Sequence, residues 1–265
     1  MGVVVTFVIS FNLSSCSTPI NIFSDSDDIK LGQQIDSEIK KDAKQYPILQ
    51  NRPDVKTYCI NITKKILASP AVKKNGVYAY QVEVIKDDST INAFCTPGGY
   101  IYVYTGLLKF VDNEATLAGV LGHEIAHAER RHATQRMSKA YGVQMLLSLV
   151  LGENPNQIAS IAANLFTGLG LLANSRADET EADEYSFKYL GASEYYPGAI
   201  RFFFDKIGAA GTRQGGSFER LLSTHPLPQD RVDHVKEMLA KAGNPPVTES
   251  NTLAARYKDF RAKLP

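Results

Sequence analysis

The segment Gly122-His123-Glu124-Ile125-Ala126-His127 constrains this chain more than any other part of it. Residues four apart lie one turn apart on the same face of a helix, so a helix here turns both imidazoles toward one point. Leu117, Val120, Leu121 and Ile125 give that helix an apolar side. Asp112 is the expected N-cap, with Glu114 in the first turn, where a carboxylate favours the helix dipole. Two imidazoles so placed can meet one Zn²⁺ at about 2.0 to 2.1 Å. Glu124, one step round from His123, is placed to hydrogen-bond and activate a metal-bound water rather than the metal itself. The competing reading is a solvated helix that happens to carry two histidines. A second motif decides between them.

That motif is Ser175-Arg176-Ala177-Asp178-Glu179-Thr180-Glu181-Ala182-Asp183. A catalytic zinc takes three protein ligands and keeps one position open, so an acidic residue of this cluster is expected as the third ligand. Glu179 is preferred to Glu181, because one turn on from Glu179 stands Asp183 and one turn on from Glu181 stands Tyr185. Asp183 could then accept a hydrogen bond from the far nitrogen of a ligating histidine, His123 in the first instance, and fix its tautomer. Most acidic runs are exposed helix faces; two histidines in want of a third ligand weigh against that here.

With 265 residues, 44% of them hydrophobic, the chain can bury a full core as one catalytic domain. Its 29 basic and 28 acidic residues leave a formal net charge of +1, so no global field points to nucleic acid or an anionic membrane. Apolar positions at helical spacing predict helices over residues 28–45 and 53–68. Segments 80–86, 91–95 and 100–105 are rich in β-branched and aromatic residues, with a hairpin turn at 96–99, and predict a small three-stranded sheet near the helix that carries His123. Further helices are expected at about 174–190, 197–210 and 229–241, the last two flanking the loop Ser223-Thr224-His225-Pro226. Residues 142–172 are strongly apolar but are cut by Gly152 to Asn156 into pieces too short to cross a bilayer of ~30 Å; they read as helices or a mobile flap. The expected class is α+β, mainly α-helical, with the domain over 28–242 and a linker and short helix over 243–265.

Residues 3–13 form an apolar run, again too short to span, that ends in Leu13-Ser14-Ser15-Cys16. The run fits the hydrophobic region of a secretion signal, although only the Met1 amino group is positive ahead of it. The four residues after it resemble a bacterial lipobox, which would make 1–16 a signal peptide, Cys16 the lipidated new N-terminus and 17–27 a tether. A buried N-terminal strand or helix is the other reading. Cys59 and Cys95 are then either a pair in an oxidising compartment or two buried free thiols.

With these motifs in place the chain resembles the metallopeptidases that include the HtpX heat-shock proteases and the CAAX prenyl endopeptidases. The resemblance runs over about 31–239 and is carried by His123 to His127 with Arg131-His132, by Ser175-Arg176 with Glu179 to Asp183, and by Asn92-Ala93-Phe94 before Pro97-Gly98-Gly99. It implies a gluzincin-type zincin fold, one Zn²⁺ per chain and Glu179 as third ligand. It also implies endopeptidase activity on polypeptides, in the lipoprotein-type branch tied to quality control of misfolded or unassembled envelope proteins. The expected location is the bacterial cell envelope, lipid-anchored and periplasm-facing.

Three further positions are candidates, the first from the likeness to gluzincins and the others from their place near the expected metal. Asn92-Ala93 looks like the edge strand that pairs with an extended substrate through main-chain hydrogen bonds, or is plain sheet. His225 could stabilise the oxyanion, plug the open metal position, or merely cap the next helix. Arg231 could orient a carboxylate or donate to the oxyanion. His132, five residues and about 140° beyond His127 on a continuous helix, cannot share the metal and is expected as a helix-surface or packing residue. A non-catalytic metal-bound chaperone or assembly factor, and a zinc hydrolase of non-peptide amides, remain as alternatives to the endopeptidase.

Overall fold

The structure is a computed structural model that describes residues 21–141, 174–210, 216–226 and 229–265. The lipobox with Cys16, residues 17–20 of the expected tether and the apolar segment 142–172 lie outside the described residues. No helix among the described residues is long and apolar enough to cross a membrane.

The helical entry begins earlier than residue 28. Ser24 caps α1 (Asp25–Lys41): its hydroxyl accepts from the Asp27 amide while the Asp27 carboxylate accepts from the Ser24 amide, a reciprocal capping box. Residues 21–24, expected within the tether, dock on the domain instead. Phe23 is buried, and the Asn21 amide donates to Thr134 Oγ1 at 3.0 Å. After α2 (Pro53–Leu67) come β1 (Gln81–Ile85), β2 (Ala93–Thr96) and β3 (Tyr100–Tyr104), in the sheet order β1-β3-β2. β3 pairs parallel with β1 and antiparallel with β2, which leaves β2 at an edge.

β3 is buried on both faces, and its alternation assigns each face to a different layer. Tyr100, Tyr102 and Tyr104 point into a cluster with Leu31, Ile35 and Ile39 of α1, and the Tyr102 hydroxyl donates to Asp36 at 2.6 Å. Ile101 and Val103 point into the main core, where α2, α4 and the later helices meet.

A short α3 (Thr105–Phe110) leads into α4 (Glu114–Glu129), every residue of which is buried. Its N-cap is Asn113, not Asp112: Asn113 Oδ1 accepts from the Thr116 amide at 2.8 Å, while Asp112 pairs with Lys206 and Arg261 at the surface. α4 ends where Arg131 takes a left-handed backbone (φ 63°), costly for a residue with a Cβ. The Arg131 side chain holds the turn by donating to Asp28 Oδ2 at 2.6 Å and to the Phe23 carbonyl at 2.5 Å. α5 (His132–Tyr141) then leaves in a new direction.

The remaining elements wrap α4. α6 (Arg176–Gly191) crosses it closely because Gly122 has no side chain: a Cβ there would lie 2.8 Å from Ser186 Oγ. That hydroxyl donates to the Gly119 carbonyl at 2.9 Å. α7 (Ile200–Ala210), α8 (Glu219–Thr224) and α9 (Gln229–Lys241) follow, then α10 (Glu249–Thr252) and α11 (Ala254–Arg261). The C-terminal part expected as a linker and short helix belongs to the core: Tyr257 is fully buried and donates to the Leu108 carbonyl at 2.7 Å. Cys59 and Cys95 are both free.

The buried Glu114 carboxylate ties this shell together, accepting from Tyr58 at 2.5 Å, Tyr195 at 2.7 Å and Arg256 Nε at 2.6 Å. Burial alone would raise its pKa, but the bonds from Arg256, Tyr58 and Tyr195 outweigh it and hold the value below the usual glutamate range. Glu114→Ala strands these donors, so the unfolding free energy should fall by about 2–4 kcal/mol, read as a lower urea midpoint at unchanged slope. With the folded pKa depressed, this contribution is complete above the unfolded value of about 4.3. It should fade as the pH falls through the folded value, so wild type and variant converge in acid.

Candidate metal centre

α4 carries His123, Glu124 and His127 on one face, all buried, and α6 brings Glu179 and Asp183 across from the opposite side. The ring nitrogens His123 Nε2 and His127 Nε2 lie 2.9 Å apart. Glu179 places Oε2 3.4 Å from the first and Oε1 3.3 Å from the second. His225, the C-cap of α8, lies in the same group, with Nδ1 3.0 Å from Glu179 Oε1. One donor atom from each of His123, His127, Glu179 and His225 falls within 4.8 Å of the others.

Hydrogen bonds behind the two imidazoles decide which nitrogens carry protons. His123 Nδ1 stands 2.8 Å from Asp183 Oδ1, so it is the N–H and Nε2 is left bare. Asp183 is held by Arg231, which donates to both carboxylate oxygens at 2.7 Å and places Nη1 2.6 Å from Glu179 Oε2. His127 is set by a longer chain. Glu181 Oε2 lies 2.8 Å from His132 Nε2, which is therefore the donor. His132 Nδ1 then accepts from His127 Nδ1 at 2.8 Å, and His127 Nε2 is bare as well. His132 is thus buried support for His127 rather than a helix-surface residue. The left-handed turn at Arg131 folds it back, which a phase count along one continuous helix misses.

Two nitrogen lone pairs facing each other at 2.9 Å repel unless a proton or a metal cation lies between them, and a Glu179 oxygen stands within 3.4 Å of each nitrogen. The residues present therefore fit a divalent metal, and their nitrogen and carboxylate donors suit Zn²⁺. The electrostatics mark the same demand for positive charge at this point, which a proton on His123 competes with a metal to meet. Burial would lower the His123 pKa, but Glu179 and Asp183 raise it to about 9, while burial and the His123 charge hold His127 well below its ordinary value. Burial raises Glu179 less than His225 and His123 lower it, so it stays ionised.

Glu124 sits beside this group without joining it, with Oε1 3.7 Å from His225 Nε2. Burial lifts its pKa above the usual range against the pull of His225 and His123, the direction that suits a proton carrier. A cavity of about 590 Å³ opens on Glu124, His127 and His225 and is bordered by Asn92, Phe94, Cys95 and Thr96 of the edge-strand region. Asn92 directly precedes β2 and Ala93 begins it; both are buried, and Asn92 Oδ1 has no hydrogen-bond partner. His234 stands apart, 3.1 Å from Glu184.

Sequence reasoning missed Asn174. Its Nδ2 lies 2.6 Å from Glu179 Oε1, 3.2 Å from His225 Nδ1 and 3.3 Å from His127 Nε2. It precedes the α6 cap Ser175, and no spacing rule points to it.

The comparisons with known proteins agree with this geometry. Residues 53–239, well over half of the chain, match Peptidase family M48. A putative beta-barrel assembly-enhancing protease of Vibrio cholerae is 29% identical over 198 residues, covering 71% of this chain and 40% of that protein. The mitochondrial metalloendopeptidase OMA1 of Schizosaccharomyces pombe is 30% identical over 187 residues, covering 70% of this chain and 53% of its own. The Arabidopsis thaliana OMA1 is 34% identical over 161 residues, 60% of this chain and 31% of that one. The matched part of this chain thus spans from under a third to about half of these relatives' lengths. Every residue of the centre, from His123 to Arg231, falls inside the matched range, and the chain belongs to peptidase family M48.

Proposed function

We propose that the chain is a zinc-dependent endopeptidase in which His123, His127 and Glu179 hold the metal and Glu124 is the general base. The observation that carries this reading is the pair of Nε2 atoms turned to one point beside a buried Glu124 that faces an open cavity. Zinc, when bound, polarises the scissile carbonyl and acidifies the attacking water. Glu124 takes the proton from that water at its carboxylate and returns it to the leaving amine. Asp183 and Arg231 hold His123 in place, and His132 with Glu181 does the same for His127. An extended substrate lies along the edge at Asn92-Ala93, paired through main-chain groups, which reads shape rather than side chains.

A metal kept only for shape prefers a closed ligand set, and the nearness of His225 would suit a non-catalytic assembly factor. The buried Glu124 and the cavity in front of it serve no purpose in such a protein. His225 is better read as a residue that closes the fourth position in the resting enzyme.

The location follows from two supports: the relatives named as beta-barrel assembly-enhancing proteases, and the apolar run ending in Leu13-Ser14-Ser15-Cys16. Together they favour an enzyme lipid-anchored through Cys16, facing the periplasm, that acts on misfolded or unassembled envelope proteins. A Cys16→Ser variant should move from the membrane to the soluble fraction; one that stays membrane-bound rejects the anchor.

Glu124→Gln should keep its zinc, counted by elemental analysis, while casein cleavage falls by roughly 10²–10⁴-fold; full activity in that variant sinks the peptidase reading. His225→Ala should raise the cleavage rate of the wild-type protein. A lower rate would instead make His225 an oxyanion donor.

A further inference from the structure

The cleft in front of the metal centre has a charge arrangement that peptide hydrolysis does not by itself require. Among the described residues, every arginine except Arg136 and Arg220 has a carboxylate within 4.0 Å. Both exceptions line the cavity that opens on Glu124 and His127.

Arg136 rises from α5, one turn beyond His132. Its Nη1 donates to Asn174 Oδ1, and the other end of that amide lies 2.6 Å from Glu179. One side chain therefore separates the guanidinium from a proposed metal ligand. Its Nε is enclosed and has no hydrogen-bond partner. Burial presses the Arg136 pKa below the ordinary arginine value, against the opposing pull of Asp178 and Glu179, so the cation is under-compensated where it stands. Arg220 borders the same space from α8, lying over the rings of Tyr46 and Tyr104 and donating to the Tyr104 hydroxyl at 2.5 Å. The cavity's carboxylates do not neutralise this pair. Asp28 is engaged by Arg131 at 2.6 Å, Glu124 belongs to the centre, and Glu219 is solvent-exposed.

Arg136 is half-buried: its Nε is enclosed while the side chain lines the cavity. A partly desolvated guanidinium with no carboxylate beside it is costly unless a counter-charge arrives from the cavity side. The planar fork of arginine fits a carboxylate best. We propose that Arg136 binds a carboxylate of the substrate in the subsites next to the metal, so that the enzyme prefers polypeptides bearing an acidic residue close to the scissile bond. This rests on the peptidase reading above and adds a specificity to it. Main-chain pairing along β2 would accept many sequences, while Arg136 selects among them by charge, with Arg220 adding to the attractive field.

The test uses pairs of peptides carrying Glu or Gln at each position from two before to two after the cleaved bond, each with a free or an amidated C-terminus. For zinc-loaded wild type, kcat/KM should favour the Glu peptide by about tenfold or more at one of these positions. In Arg136→Gln that ratio should collapse to about one, and Arg136→Glu should turn the preference toward Lys peptides. Because the ratio is taken within one preparation, a partly unfolded variant does not alter it. A preference that survives amidation assigns the carboxylate to a side chain, and one confined to free C-termini assigns it to the chain end; either supports the site. A wild-type ratio near one, or a ratio that persists in Arg136→Gln, overturns it. Anisotropy of the same peptides, labelled, on zinc-loaded Glu124→Gln keeps the two readings apart. Preferential binding of Glu peptides that wild type never cuts would overturn the peptidase reading and leave the carboxylate site standing.

Discussion

The close crossing of α4 and α6 is the constraint on which the rest depends. α4 is buried along its whole length, so each polar group on it must find its partner inside the protein. Gly122 lets α6 approach until Ser186 bonds the α4 backbone at Gly119, whose own missing side chain makes room for the start of α7 at Ile200. At that separation Glu179 and Asp183 reach the imidazoles of His123 and His127. A side chain at Gly122 would push α6 outward and take both carboxylates with it. The metal centre and the packing of the domain are therefore one geometry rather than a site placed on a finished scaffold.

The partners of the buried charges come from far along the chain. Arg231 from α9 neutralises Asp183, Arg256 from α11 neutralises Glu114, and Asp28 from α1 holds Arg131 at the end of α4. Breaking one of these pairs leaves an ion in low dielectric, which is why such contacts weigh more than the many exposed pairs at the surface.

Much of this was legible because helical spacing is a strong geometric statement. The i, i+4 relation puts His123 and His127 on one face and Glu179 and Asp183 on another, and the β-branched and aromatic residues of 100–105 mark a strand, though not its burial on both faces. What escaped had specific causes. His132 was out of reach of a phase count because Arg131 breaks the helix with a left-handed residue held through Asp28 and the Phe23 carbonyl. Asp112 and Asn113 both have side chains suited to an N-cap, and the ion pairs of Asp112 with Lys206 and Arg261 decide between them. The Ser24–Asp27 capping box lies in a stretch whose polar composition reads as a tether, and the docking of Phe23 and Asn21 is what fixes it. The C-terminal segment is polar in composition, and the burial of Tyr257 depends on contacts that sequence spacing does not reveal. Asn174 and Arg136 obey no motif; their position is purely tertiary.

The supports behind the two imidazoles differ in kind. His123 leans on Asp183, a fully enclosed carboxylate clamped by two bonds from Arg231. His127 leans on a neutral ring, and the Glu181 that steadies this ring has a side chain 35% exposed, where water competes for it. The seat for the metal thus has a stiff wall and a yielding one. The yielding wall borders the cavity through His127, so the centre can adjust on its open side without loosening its hold on the other.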